Sequence, residues 1–220
     1  DASDPGDWIN QADVNSGRYA PCTSADIADS SWHGTQVAGL IGALTNNAVG
    51  MASVGRNVRV LPVRVLGKCG GFDSDIIAGM LWAAGLSTGD PNVPANPAAN
   101  RAKVINMSLG GQGPCTQPYQ DAVTALTAAG VTVVASAGNG TGHAVNSPAN
   151  CVGVIGVTGL RHVGTKVGFS DLGPEVSLSA PGGNCVNEGA NDPCLYPVLT
   201  TSNSGSTVPA ASIYSDQFNI

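Results

Sequence analysis

Two side chains in this sequence combine a reactive group with a setting that could use it. His33 stands in His33-Gly34-Thr35, directly ahead of a run of small and apolar residues. A neutral imidazole, with an ordinary pKa near ~6.5, can take a proton at neutral pH and hand it back, so it can serve as general base and then general acid. Asn139, in Gly138-Asn139-Gly140 behind an apolar run, carries an amide donor of the kind that holds a developing oxyanion. Each has a plainer reading. An isolated histidine is usually a hydrogen-bonded structural residue, which is the reading given to His143 and His162, and Asn-Gly is a common turn pair. The glycines at Gly70-Gly71, Gly110-Gly111 and Gly138-Asn139-Gly140 would let a substrate backbone approach closely, since no Cβ intervenes, or would simply form tight turns.

These residues need a scaffold, and the hydrophobic pattern supplies one. Val37, Leu40, Ile41 and Leu44 recur at helical spacing, which predicts a buried helix beginning at His33. Asn57 to Leu66 alternates around Pro62 as a strand would, and Asp73 or Ser74 can cap a helix through Leu86. The unit then recurs: a strand over Val104 to Leu109, a helix near Tyr119 to Ala129, and strands over Val131 to Ser136 and Cys151 to Val157. Such alternation predicts an α/β fold with a mainly parallel central sheet and helices on both faces. Val131 to Ser136, apolar nearly throughout, reads as a strand covered on both sides. Asp1 to Ser31 reads as loop. Short strands are expected at Val176 to Ala180 and Tyr196 to Thr201, without a helix in the last third. Ligands in such sheets gather at the carboxyl ends of strands, so the loops after Leu66, Leu109 and Ser136 are the ones to inspect.

The 220 residues are 42% hydrophobic and 11% charged, with 30 glycines and 14 prolines, which suits one loop-rich domain wound on a packed sheet. A net charge of −6 lacks the positive field that nucleic acid or an anionic membrane would need. No stretch reaches the apolar length of a membrane span, and the opening residues carry no signal-peptide pattern. Six cysteines, Cys22, Cys69, Cys115, Cys151, Cys185 and Cys194, contain no C-x-x-C pair. They point to disulfides in an oxidising compartment rather than to a metal or redox site, with buried free thiols as the plainer alternative.

Five ordered blocks carry a resemblance. His33-Gly34-Thr35-Gln36-Val37-Ala38-Gly39 resembles the HGTxVAG block of subtilisin-like serine proteases. Val104 to Gly110 is similar to their substrate-binding edge strand, and Val133 to Asn139 to the strand that delivers the oxyanion asparagine. Phe169 to Pro174 and Ser179 to Gly182 match two further blocks in the right order. The resemblance implies a three-layer αβα fold and a secreted, extracellular endopeptidase acting on polypeptides. His33 would be the general base and Asn139 the oxyanion donor. Ser108, Leu109 and Gly110 would line one wall of the specificity pocket and Ser136, Ala137 and Gly138 the other, with its depth dependent on the geometry around Val145, Asn146 and Ser147. An extended peptide would bind as an added strand between Gly70-Gly71 and Leu109-Gly110.

The resemblance also implies a structural calcium ion on the loop Leu44 to Met51, through Asn47, Val49 and Met51, whose hard oxygens suit that ion. Asp1, Asp4 and Asp7 could form a second calcium site, although a solvated acidic turn is the plainer account. By fold analogy Cys22 would pair with Cys69, Cys115 with Cys151, and Cys185 with Cys194; spacing alone leaves about 15 pairings open.

The family's aspartate motif and its G-T-S motif are not found here. Asp26 and Asp29 stand too close to His33, and Gly205-Ser206-Thr207 has the wrong order for the serine block, so Ser206 is not taken as a nucleophile. The expectation is a single partial peptidase domain over residues 1–220, lacking the first core strand and the nucleophile-bearing helix. Such a chain would be inactive alone, being either a fragment or a chain completed by other segments of its precursor, rather than a degenerate homologue. A noncatalytic peptide-binding homologue is the competing function. A dinucleotide site at Gly138-x-Gly140-x-Gly142 fails because position 143 is His, and an esterase reading fails because G-x-S-x-G is missing.

Overall fold

The computed structural model describes residues 6–185 and 194–216. In chain order the elements are α1 (Gln11–Asn15), α2 (His33–Gly42), α3 (Asp73–Ala84), β1 (Val104–Met107), α4 (Gln117–Ala128), β2 (Thr132–Ser136), β3 (Val154–Leu160), β4 (Val176–Pro181), β5 (Asn184–Cys185), β6 (Cys194–Leu195), β7 (Thr200–Asn203) and β8 (Ser212–Ser215). The described residues gather into two compact units. One holds 6–79 with 199–216, and the other 80–185 with 194–198.

The second unit is built on a parallel sheet in the order β1-β2-β3-β4. Its registers bring Ile105 beside Val133 and Val133 beside Val154. Helix α4 turns Tyr119, Ala122, Val123 and Leu126 inward, a single face at helical spacing, and carries Pro118 in its first turn, where no N–H is needed. The fold is the α/β class with the parallel sheet that the pattern predicts. One detail differs: Val133 and Ala135 are buried, but Thr132 is exposed and Val134 only half-buried. β2 therefore alternates, rather than being covered equally on both faces.

In the first unit α2 lies against β7, which pairs antiparallel with β8. The contact is close because position 39 has no side chain. A Cβ at Gly39 would collide with the hydroxyls of Thr201 and Thr200. Those threonines instead donate to helix carbonyls, Thr200 Oγ1 to Gln36 at 2.5 Å and Thr201 Oγ1 to Thr35 at 2.9 Å.

Two expectations for this unit are corrected. The opening stretch is not all loop: Asn10 and Asp13 form a reciprocal capping box that starts α1, and Thr23 caps a 3-10 turn over Ser24–Asp26. Helices this short have too few residues to show a hydrophobic period. Asn57 to Leu66 is not a strand. Pro62 removes a donor from its middle, no described segment pairs with it, and Val58 and Val60 stay 45% and 40% exposed.

Cys22–Cys69 closes the first unit, with Cα atoms 5.8 Å apart, and Cys115–Cys151 closes part of the second, at 5.0 Å. Both match the pairing that the resemblance implied. Cys185 and Cys194 face each other in the β5–β6 ladder, and their side chains lie outside the described ones. Beside Cys69, Lys68 Nζ meets Asp13 Oδ2 at 2.6 Å and lies 3.3 Å from the centre of the Trp8 ring, so charge and cation–π attraction act together on one ammonium.

Candidate functional site

His33 is the first residue of α2, as the pattern predicts. The residue before it, Trp32, adopts a left-handed backbone (φ 54°) and offers no capping side chain. Its neighbours do the capping. Ser31 Oγ accepts the His33 N–H at 3.2 Å and Ser30 Oγ accepts the Trp32 N–H at 3.4 Å. Both hydroxyls donate to the Asp7 carboxylate at 2.6 Å, and the Ser31 N–H adds a bond of 2.9 Å. The Trp32 indole N–H reaches the Gly205 carbonyl at 2.6 Å, and the Ser30 N–H reaches that of Ser206 at 2.7 Å. Gly205-Ser206 thus serves this turn through its backbone.

Burial lowers the His33 pKa below its usual value, and the negative charge of Asp7 pulls it partly back up. The imidazole is therefore held in its neutral, proton-accepting form at neutral pH. Burial alone would raise the Asp7 pKa, but the hydrogen bonds from Ser30 and Ser31 outweigh it and leave the group below 3.8. In the sequence Asp7 reads as part of an acidic turn, or of a second calcium site with Asp1 and Asp4, which lie outside the described residues. No local signal could reveal its role, because its partners lie 23 and 24 residues away.

In the second unit Asn139 follows the tip of β2, again as expected. The ladder continues one residue past the strand, with the Ala137 N–H on the Val157 carbonyl at 2.8 Å, and the chain then turns at Gly138 (φ +120°). Three segments are laced together around this point. The Asn146 N–H donates to the Ala137 carbonyl at 2.9 Å, and Gly111 and Ser147 exchange bonds of 2.9 and 3.1 Å. A Cβ on Gly110 would stand 2.8 Å from the Ser147 carbonyl oxygen, so the close approach requires glycine. Ser108, Leu109, Gly110, Ser136, Ala137, Gly138, Asn139 and Asn146 are thus gathered in one unit. The Asn139 side chain is exposed, and no described protein group holds its carboxamide. His143 contributes its main-chain N–H, donated to Asp171 Oδ1 at 2.9 Å, while the His162 ring lies against that of Tyr196.

The remaining predicted residues belong to the first unit with His33. Gly70 closes a tight turn on Gly67, giving and receiving bonds of 3.3 and 2.8 Å, so both its main-chain groups are engaged. On the loop Leu44 to Met51, positive φ angles recur at Asn46, Ala48 and Gly50. Asn47 Oδ1 accepts the Val49 N–H at 3.1 Å and keeps a second lone pair. The loop offers side-chain and main-chain oxygens and carries no cationic side chain, a set compatible with calcium. Among the described residues no group of three His, Cys, Asp or Glu side chains could hold a metal ion.

A parallel α/β sheet with a helix that begins on HGT and a strand that ends before Gly-Asn-Gly defines a class of protein, and comparison with known families places the chain in it. Residues 7–216 match the subtilase family, and the chain belongs to that family. It is 42% identical over 97% of its length to an extracellular protease of Xanthomonas campestris pv. campestris. It is 41% identical over 96% to an extracellular basic protease of Dichelobacter nodosus. It spans 33% and 32% of those two relatives, about a third of their length. Among solved structures, a protease from Pseudoalteromonas arctica superposes with a TM-score of 0.83 at 43% identity, covering 97% of this chain and 59% of that one.

Proposed function

We propose that this chain is part of a secreted subtilisin-like serine endopeptidase that hydrolyses polypeptides. The observation that carries the reading is the pair of local settings, a half-buried neutral histidine opening α2 and an unclaimed carboxamide just past β2, in a member of the subtilase family. The names of the relatives support secretion, and no described helix is long and apolar enough to cross a membrane.

In this reading a serine outside residues 1–220 attacks the peptide carbonyl. His33 takes its proton and returns it to the leaving amine, while an aspartate outside these residues orients the imidazole. Asn139 donates to the oxyanion of the tetrahedral intermediate. The Ser108-Leu109-Gly110 and Ser136-Ala137-Gly138 segments form walls of the specificity pocket, Asn146 contributes to its depth, and Leu109-Gly110 offers a main-chain edge to an extended substrate. Calcium, held by Asn47, Val49 and Met51, would supply a structural charge that fixes its loop.

The test uses the full-length secreted protein with casein and peptide anilides. His33→Ala should abolish measurable turnover. Asn139→Ala should lower kcat by about 10²- to 10³-fold with KM little changed, a magnitude known for such a donor in this family and not obtained from this geometry. Full turnover in either variant would overturn that residue's role. A wild-type protein that binds peptides without cleaving them would favour the noncatalytic homologue instead.

A further inference from the structure

The second unit contains a buried carboxylate with no part in the scheme above. Asp171 is 0% exposed, and its position is fixed by β3. Its carbonyl accepts the Thr158 hydroxyl at 2.9 Å, beside a buried Thr158–Ser170 hydroxyl pair at 2.7 Å, and Ser170 Oγ also takes the Gly159 N–H at 2.9 Å. From that anchor Asp171 reaches both flanks of the turn that carries Asn139. Its own N–H donates to the Gly138 carbonyl at 2.8 Å, one residue before Asn139, and its Oδ1 accepts the His143 N–H at 2.9 Å, four residues after it.

The turn between those two bonds contains Gly138, Gly140 and Gly142. Glycine has the widest conformational freedom, so this backbone has little stiffness of its own. An oxyanion donor is effective only when held in place before charge develops. The second carboxyl oxygen, Oδ2, is buried without a hydrogen-bond partner, which is costly for a polar atom out of water. It presses on the space that a Cβ at Gly138 would enter, together with Asn146 Nδ2, and Gly140 is packed against the same carboxylate less tightly, its would-be Cβ 2.9 Å from Oδ1 and 3.1 Å from Oδ2.

We infer that Asp171 is a positioning residue for the oxyanion donor: its carboxylate clamps the glycine-rich turn Gly138–His143 onto β3 and so presets the Asn139 carboxamide. This rests on the reading of Asn139 given above. The segment that carries Asp171 also ties the turn through its backbone, from the Thr141 N–H to Phe169 at 2.9 Å and from the Leu172 N–H to His143 at 3.1 Å. Loss of the carboxylate should therefore loosen the turn without dismantling it.

The experiment measures kcat and KM on a peptide anilide for the full-length secreted protease carrying Asp171→Ala, Asp171→Ser or Asp171→Asn, each with Asn139 intact and with Asn139→Ala. The Ala and Ser variants should lose about tenfold in kcat with KM within about twofold, the pattern of an interaction felt in the transition state. Asp171→Asn, which keeps an acceptor for the His143 N–H, should retain at least about half of kcat. With Asn139 removed, all three should change kcat by less than about twofold, because the group they position is gone. Equal losses in both backgrounds, a rise in KM alone, or failure of both the Ala and Ser variants to accumulate as folded protein would overturn the inference. If Asn139→Ala alone leaves kcat unchanged, the fault lies with the role of Asn139 and not with its support.

Discussion

The turn before His33 and the turn after β2 are both gripped by an aspartate, but the two grips draw on different resources. Asp7 is partly exposed and works through serine hydroxyls, capping a helix whose own N-cap residue offers nothing. Asp171 is fully buried, works through backbone N–H groups, and rests on a strand paired on both sides. The position of Asn139 is inherited from a parallel ladder and stiffened locally. The position of His33 depends on a chain of side-chain contacts and on one glycine that lets α2 lie against β7. The lesson is that two groups proposed to share one reaction can differ in how many separate interactions must hold for each to be in place.

Substitutions in each unit test the contrast. Replacing Cys22 and Cys69 together by Ser opens a link spanning 47 residues and should cost about 4 kcal/mol as an upper value on a chain-entropy view, read as a fall in Tm together with lost activity. The same change at Cys115 and Cys151, 36 residues apart, should cost about as much stability while leaving kcat of the folded fraction near wild type. Equal losses of kcat would erase the distinction. Gly138→Ala forces a side chain onto φ +120° and against Asp171 and Asn146. It should cost about 2–4 kcal/mol and lower kcat more than tenfold, seen by denaturant unfolding and steady-state kinetics.

Gly39→Ala tests the other half. The added methyl meets the two threonine hydroxyls of β7, and about 1–3 kcal/mol should be lost, with α2 displaced. Unchanged stability would mean that β7 yields easily. The smallest effect expected is that of Asp7→Asn. Asp7 holds the His33 pKa up against burial, so removing the charge should move the acid limb of kcat/KM to lower pH; a shift to higher pH would contradict the assignment. On stability the sign is also set. The Asp7 carboxyl lies below 3.8 in the fold, so its contribution is present above that value and disappears as pH falls through the folded-state pKa.

The sequence disclosed the helix at His33, the strand before Asn139 and α4, because each bears a strong period or an ordered motif. It concealed Asp7 and Asp171 for one physical reason: a carboxylate acquires a role from partners distant along the chain. Asn57 to Leu66 misled in the opposite direction, since its alternation is that of a strand, yet a strand also needs a neighbour. The pairing of Cys22 with Cys69 was legible only through the family resemblance, because spacing alone leaves the connectivity open.

The residues by themselves determined the class of fold and the membership of a protease family, and they named His33 and Asn139 as candidates, since these follow from local period, ordered motifs and side-chain chemistry. Only the tertiary structure decided what fixes those groups: Ser30 and Ser31 on Asp7, Gly39 under β7, and Asp171 beneath the glycine turn. Hydrogen bonds and close packing act over a few ångströms in space, and that distance is not written in residue number.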